Sequence, residues 1–467
     1  MPAMSEQRPN IVLITVDQLR HDWVGYRGAD WVRTPHIDAL AERGVAFTNC
    51  CATAPLCAPA RISLATGLSP IRFAHVNNNA YLPLSRPTYY QRLRDAGYHV
   101  AVTGKLDLAK PDEYNGIRGD RPIAFSWGFT HPLECEGKMH AGRVRASDGA
   151  PQGPYGHYLK GRGVFEAFID DYARRRANGE CERAAWDSVL DPEDFEDAFI
   201  GRRAVEWIRS RDDEFPWHLF VSFVGPHNPF DPPTEYAEHF RTREMPEPIP
   251  ADPTGKPPHI GRRMNVDLDP EKVLVARRQY AAAIEAIDDQ VGAIVAALEE
   301  RGELESTYIV FSSDHGEMLG DHGCWTKRLH YEPALRVPLV VVGPDIAPGV
   351  REQLVEWHDI HPTLCEIAGV AIPGALHPDA IDAKSLCATL QDATVPHRED
   401  CFSVLHDALC LRTATHKLID GRTGFVELYD LSADPDERNN IASERPDLVG
   451  ALGGRLKERY LEGGANR

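Results

Sequence analysis

Three polar clusters in this chain each follow a short apolar run. Asp17-Gln18 follows Asn10–Val16, Ser313-Asp314-His315-Gly316 follows Thr307–Ser312, and Gly225-Pro226-His227-Asn228-Pro229 follows Trp217–Phe223. If the runs are strands of an open α/β sheet, the residues beyond their C-terminal ends gather along one edge. Two carboxylates, an amide oxygen and an imidazole brought together there make a site for a divalent cation. A single such cluster is easily a cap or a turn, but three in register are not.

The surrounding elements fit that placement. Asn10–Val16 (NIVLITV) lacks polar alternation, as a strand covered on both faces should. Thr34–Gly44 reads as a helix, with Pro35 in its first turn, Ile37, Leu40 and Ala41 on one face and Gly44 at its end. Tyr89–Ala96 and Phe195–Arg211 read as helices leading into the strands His99–Thr103 and Trp217–Phe223. A long helix over 270–301 precedes the strand Thr307–Ser312, and Val337–Val342 and Ile360–Ala368 add one strand and one helix. The pattern is α/β: a large mixed, mostly parallel sheet sandwiched by helices, filling a catalytic domain over residues 1–370. Residues 371–467 change character. Short strands at Cys401–Leu405, Cys410–Thr413, His416–Ile419 and Phe425–Tyr429, then a helix near Asp447–Tyr460, predict a small α+β subdomain with an antiparallel sheet. Two irregular stretches, Lys110–Gly163 and the proline-rich Met245–Ile260, are expected to line a pocket, with Trp31, Trp127, His131, His140 and Arg143 as contacts.

Composition narrows the function. With 51 Lys+Arg against 70 Asp+Glu the net charge is −19, which argues against nucleic acid as a partner. A small anion remains possible, because a few cations focused in one cleft outweigh a distant acidic surface. The polar Met1–Pro9 and the short run Ile11–Val16 provide neither a signal peptide nor a membrane span, so the expectation is a cytoplasmic chain with no membrane partner. The ten cysteines show no zinc spacing and no compact disulfide framework, and most should be reduced core residues. Nucleotide-binding glycine motifs and His-Glu-x-x-His are missing from the sequence.

Cys57-Ala58-Pro59-Ala60-Arg61, continuing through Leu64-Ala65-Thr66-Gly67, resembles the signature of the type I sulfatases of the alkaline phosphatase superfamily, Cys-x-Pro-x-Arg followed by Thr-Gly. Asp17-Gln18 and Ser313-Asp314-His315-Gly316 are similar to that family's two metal clusters, and Gly104-Lys105 to its Gly-Lys strand end. His227 falls in its Pro-His-x-Pro loop, Lys327 matches the lysine that follows, and Glu427-Leu428-Tyr429-Asp430-Leu431 resembles its C-terminal signature. The resemblance implies an alkaline-phosphatase-like fold and hydrolysis of an organic sulfate monoester, with a sugar sulfate as one candidate. It also implies that a formylglycine-generating enzyme oxidises Cys57 to formylglycine. One hydroxyl of the hydrated aldehyde attacks sulfur, and the other, once deprotonated, re-forms the aldehyde and expels sulfate. By the same implication Arg61 holds the diol, Lys105 and Lys327 bind sulfate oxygens, and His227 protonates the leaving oxygen. Asp17, Gln18, Asp314 and His315, with the residue at Cys57, hold one divalent cation. Three oxygen-bearing ligands point to calcium, while the nitrogen of His315 and the single carboxylate of Asp17-Gln18 leave manganese as the alternative. Asp-Gln with Asp-His is more similar to the choline-sulfatase and phosphonate-monoester-hydrolase branches. Hence a phosphonate monoester or phosphodiester hydrolase is the second reading, and a non-catalytic metal-binding protein the third. Within Asn77-Asn78-Asn79, Asn78 best fits the position where those branches place an asparagine near the nucleophile. The family's Gly-Lys-Trp-His is replaced by Gly104-Lys105-Leu106-Asp107. Asp107 could be a substitute base, or the histidine's role could be empty or filled elsewhere.

Overall fold

The computed structural model describes residues 8–73, 76–177, 183–211, 214–254, 256–374, 377, 379–422 and 424–464. Residues 1–7 of the polar N-terminus and Cys181 lie outside the described residues. The main sheet contains β1 (Asn10–Asp17), β2 (Val45–Cys51), β3 (His99–Gly104), β4 (His131–Glu134), β5 (Trp217–Pro226), β6 (Thr307–Ser313), β7 (Arg336–Val342) and β8 (Gly349–Glu356). Their spatial order is β4-β3-β5-β1-β6-β7-β2-β8. All pairs are parallel except β6 with β7 and β7 with β2.

Helices cover both faces, and β1 shows why its sequence lacks alternation. Val12, Ile14 and Val16 enter one core with Ile37 of Pro35–Arg43, Ile200 of Glu196–Arg209 and Ile284 of Pro270–Glu300. Ile11 and Leu13 enter the opposite core with Ile62 of Cys57–Thr66, Leu93 of Tyr89–Asp95 and Leu364 of Ile360–Ile367. Successive side chains point to opposite faces, so a strand buried twice needs apolar residues at every position. The long helix starts where its sequence says it should. Asp269 accepts from the Glu271 N–H at 3.0 Å, and Pro270 occupies the first helical turn.

The sequence reading passes over β2, β4 and β8. β4 has four residues and contains Pro132, and β8 is an edge strand with a polar, partly exposed first half. Such strands are held by neighbours more than by their own pattern. The C-terminal antiparallel sheet comprises β9 (Cys401–Val404), β10 (Leu409–Arg412), β11 (His416–Asp420) and β12 (Val426–Asp430), with the helix Pro446–Gly464 packed on it. The nine described cysteines are free thiols. Among the described residues no helix is long and apolar enough to cross a membrane.

A buried ion cluster joins this small sheet to the main one. Glu332 accepts from Arg412 Nε at 3.0 Å and from Lys417 Nζ at 2.8 Å, and Lys417 also reaches Glu437 Oε1 at 2.7 Å. Without Lys417 the buried Glu437 carboxylate would keep the Glu332 N–H as a partner but lose its counter-charge. Lys417→Ala is therefore expected to destabilise the protein by ~3–5 kcal/mol, the usual cost of stranding a buried charge. Urea denaturation measures this, and a loss below ~1 kcal/mol would show that the cluster contributes little.

Candidate active site

Register brings the polar clusters together. Val16 lies opposite Ser313 across the parallel β1–β6 pair, and Asp17 lies opposite Pro226 across β1–β5. Asp17, Gln18, Asp314, His315 and His227 consequently emerge along one edge of the sheet. Gln18 leaves β1 with φ 72°, held by Ser313 Oγ, which lies 2.7 Å from Val16 O and accepts from Leu19 N at 2.9 Å.

The helix Cys57–Thr66 supplies the remaining parts. Its first turn contains Cys57 and Pro59, and Gly67, with φ 69°, ends it. No side chain of its own caps the start; instead Asn78 Oδ1 accepts from the Ala58 N–H at 3.2 Å. Asn78, expected to meet substrate, thus fixes the helix end that carries Cys57, and it also lines the cavity. Arg61, one turn on, donates through Nε to Asp314 Oδ2 at 2.7 Å and through Nη1 to Ser222 Oγ at 2.7 Å and Lys105 O at 2.9 Å. Its Nη2 is buried without a hydrogen-bond partner, 3.7 Å from Asp17 Oδ2.

Asp17, Cys57, Asp314 and His315 are fully buried, and each offers one ligand atom within 4.8 Å of the others. Cys57 Sγ lies 3.1 Å from His315 Nε2 and 3.8 Å from Asp17 Oδ1. Two carboxylates and an imidazole converging on the Cys57 side chain, beside an orphaned guanidinium nitrogen, fit both a divalent cation and an oxygen nucleophile at position 57. Gln18 adjoins this group. Its N–H donates to Asp314 Oδ1 at 3.1 Å, while its amide oxygen accepts from Lys327.

Cations dominate the electrostatics. Burial alone would push the Asp17 carboxyl up, but Lys105, with His227, Arg61 and Lys327, holds it well below the usual range. Burial and Asp17 push the Cys57 thiol up, yet Lys105, Lys110 and Lys327 outweigh them and bring it well below its ordinary value. An anion at position 57 is therefore favoured. Lys105 donates to Asp17 and lies 3.1 Å from Asp107 Oδ2. Asp107 also accepts from Lys110; against the effect of burial, Lys105 and Lys110 hold its carboxyl well below the usual range, so it stays ionised and is a weak base.

His227 differs from expectation. Burial and Lys327 push its imidazole down to about 4, so it carries no stored proton near neutral pH. Its Nδ1 lies 2.6 Å from Asn228 O and its Nε2 2.5 Å from Lys327 Nζ. That geometry fits Nδ1–H donating to the carbonyl and Nε2 accepting from the lysine.

The site opens into a cavity of about 840 Å³ whose wall includes Asn78, Lys105, Asp107, His227 and Lys327. His140 and Arg143 line it as expected, but the other three contacts do not. Trp127 is buried in the core with Arg121 over its ring, and Trp31 packs on Trp23 at 6.2 Å. His131 stacks on His99 at 5.2 Å, and both residues open their strands at the opposite edge of the sheet. Among the described residues of Met245–Ile260, none lines the cavity either. Ile249 binds Asp321, and Lys256 reaches Glu427 and Tyr429, so the stretch braces the C-terminal sheet. Sequence reasoning missed Leu405, His406 and Asp407, which arrive from the turn between β9 and β10. A second hydrolase-like chain, Ser63 Oγ to His358 Nδ1 at 3.1 Å and His358 Nε2 to Glu356 Oε2 at 2.9 Å, is fully buried and does not line the cavity.

Comparison with known proteins agrees with this geometry. The family described as Sulfatase matches residues 9–370, and the C-terminal region described for N-sulphoglucosamine sulphohydrolase matches residues 320–460. A choline-sulfatase of Rhizobium meliloti (strain 1021) is 30% identical, with 94% of this chain and 83% of the relative covered. An arylsulfatase of Clostridium perfringens is 27% identical, with 98% and 96% covered. The crystal structure of a phosphonate monoester hydrolase of Agrobacterium radiobacter superposes with TM-score 0.80 at 25% identity, covering 98% of this chain and 96% of that one.

Proposed function

The chain belongs to the sulfatase family, a sulfuric ester hydrolase, and from that premise we propose that it cleaves a small-molecule or saccharide sulfate monoester at Cys57. The carrying observation is the four-atom group of Asp17, Cys57, Asp314 and His315, fully buried among Lys105, Lys327 and Arg61. In this reading a formylglycine-generating enzyme matures Cys57, and Asp17, Gln18, Asp314 and His315 hold one cation, calcium, with manganese as the alternative. Such a cation, when bound, would acidify the nucleophile and polarise a sulfate oxygen. Division into a catalytic domain over residues 1–370 and a C-terminal subdomain over 371–467 belongs to the same reading, supported by the two sheets.

The residues divide the work. Arg61 Nη2 donates to the oxygen nucleophile while its other nitrogens stay fixed on Asp314, Ser222 and the Lys105 carbonyl. Lys105 and Lys327 bind the sulfate oxygens. A cation ~4 Å from such an anion contributes about 4 kcal/mol at an effective dielectric near 20, and preorganised charge of this kind acts most on the transition state. His227 protonates the leaving oxygen. Its resting imidazole is neutral, so it takes up a proton as the substrate's negative charge enters and offsets the effect of Lys327, which stays charged on the sulfate. Asp107 keeps Lys105 and Lys110 in place.

Similarity to the phosphonate hydrolase favours a second reading, phosphonate monoester hydrolysis by the same nucleophile. Lys105 separates the two. A sulfate monoester presents three terminal oxygens and a phosphonate monoester two, so a clamp of Arg61, Lys105 and Lys327 suits the former. Matured, metal-loaded protein is expected to hydrolyse an aryl sulfate about tenfold or more faster in kcat/KM than the matching phosphonate, and Lys105→Ala to narrow that gap. Preference for the phosphonate in the wild type would put the second reading first.

A further inference from the structure

The cavity carries more positive charge than the reaction centre uses. Beyond Lys105 and Lys327, its wall includes Lys110, Lys138, Arg143, Arg263 and Arg328. Four of these are occupied. Lys138 pairs with Asp231 at 2.5 Å. Lys110 is bound by Asp107, and Arg143 meets Glu113 at 3.0 Å. Arg263 donates to Lys327 O and Arg328 O, both at 2.7 Å. Among the described residues the Arg328 guanidinium has no hydrogen-bond or ion-pair partner, and Asp407 on the same wall is engaged elsewhere.

Arg328 is also held in an unfavourable backbone conformation. Its φ is 69°, in the left-handed region that a residue with a Cβ rarely adopts, and Thr326 nearby has φ 63°. Arg263 grips the carbonyls of Lys327 and Arg328, while the Arg328 N–H donates to Pro55 O at 3.0 Å, just before the helix that bears Cys57. Strain of this kind persists where surrounding structure imposes it, and it concentrates at ligand-binding positions. The rest of the wall points the same way. Its only rings among the described residues are the imidazoles of His140, His227 and His406, so it has no aromatic face for a quaternary ammonium.

We propose that the substrate's leaving group carries a second anionic group, a carboxylate or a further sulfate, seated against Arg328. This rests on the sulfate-ester reading above and names its substrate class. The guanidinium offers a planar pair of donors suited to either oxyanion.

Isothermal titration calorimetry of the metal-loaded full chain tests it with benzenesulfonate, 4-sulfobenzoate and benzene-1,4-disulfonate, stable mimics of a sulfate ester with no, carboxylate or sulfonate second charge. At least one dianion is expected to bind about tenfold tighter than benzenesulfonate at low salt, and the tighter of the two identifies the second group. Arg328→Gln should weaken that dianion at least ~5-fold more than benzenesulfonate, and Arg328→Lys should restore part of the difference. Equal affinities for all three probes, or a dianion preference that survives Arg328→Gln, would overturn the proposal. So would faster turnover of choline sulfate than of 4-sulfooxybenzoate by the matured enzyme. A dianion preference in a matured protein inert to every aryl sulfate would instead overturn the sulfatase reading and leave the anion site standing.

Discussion

Cys57→Ala should lower kcat/KM for an aryl sulfate by about a thousandfold or more, ~4 kcal/mol of transition-state stabilisation, while the protein still folds. The size of the effect follows from the position. Cys57 opens a helix, its Sγ touches His315 and faces Asp17, and Lys105, Lys110 and Lys327 favour negative charge on it. The substitution removes the attacking atom and leaves the cationic clamp, which binds sulfate but has nothing to transfer it to. Alanine is a good helix former and deletes one buried sulfur, so thermal unfolding should change little beside the activity loss. The unmodified thiol should behave almost as poorly as alanine, because it has no second hydroxyl to re-form an aldehyde and expel sulfate. Protein made without a formylglycine-generating enzyme is thus expected to be nearly inactive, and coexpression should convert Cys57 to the aldehyde, visible by peptide mass spectrometry. Full activity with a thiol at position 57 would sink the mechanism.

The parts of this site legible in the sequence are those set by local pattern. Asp17 and Asp314 end apolar runs buried on both faces, and parallel pairing with Val16 opposite Ser313 then places them side by side without any knowledge of the loops. Cys57 and Arg61 share one helix, so their relation is fixed by the helical repeat. What was not legible depends on contacts between distant segments. Leu405 and His406 reach the cavity only because the C-terminal sheet docks beside it, through the Glu332, Arg412 and Lys417 cluster that no periodicity encodes. The tryptophans show the opposite error. Trp31 and Trp127 have the composition of pocket residues, but a large apolar ring is more stable against a core: Trp127 is buried in one, and Trp31, partly buried, packs against the other. His227 was legible as a residue but not in its protonation state, because burial and the lysine at 2.5 Å set that and neither is local in sequence.

Asp314 is where removing one atom group should do most damage to cation binding. Its carboxylate accepts from Arg61 Nε at 2.7 Å, from the His315 N–H at 2.9 Å and from the Gln18 N–H at 3.1 Å, and it is one of the four converging donors. Two effects of substitution can be separated. Asp314→Asn keeps the shape and one carbonyl oxygen but removes the charge, so bound divalent cation measured by elemental analysis should fall from about one per chain to below ~0.1, with activity lost about a thousandfold. Asp314→Ala should do the same and also leave the Arg61 guanidinium buried without its carboxylate, costing a further ~3–5 kcal/mol of stability. Comparing the variants distinguishes a ligand from a purely structural partner of Arg61. If Asp314→Asn kept both cation and activity while Asp314→Ala merely unfolded more readily, the carboxylate would be serving the guanidinium alone. In that case the cation would have to rest on Asp17, His315 and Gln18. Reloading stripped wild-type protein addresses the identity of the ion, since calcium should restore activity at least as well as manganese. Restoration by manganese alone would place the imidazole of His315, rather than the oxygen donors, in control of the site.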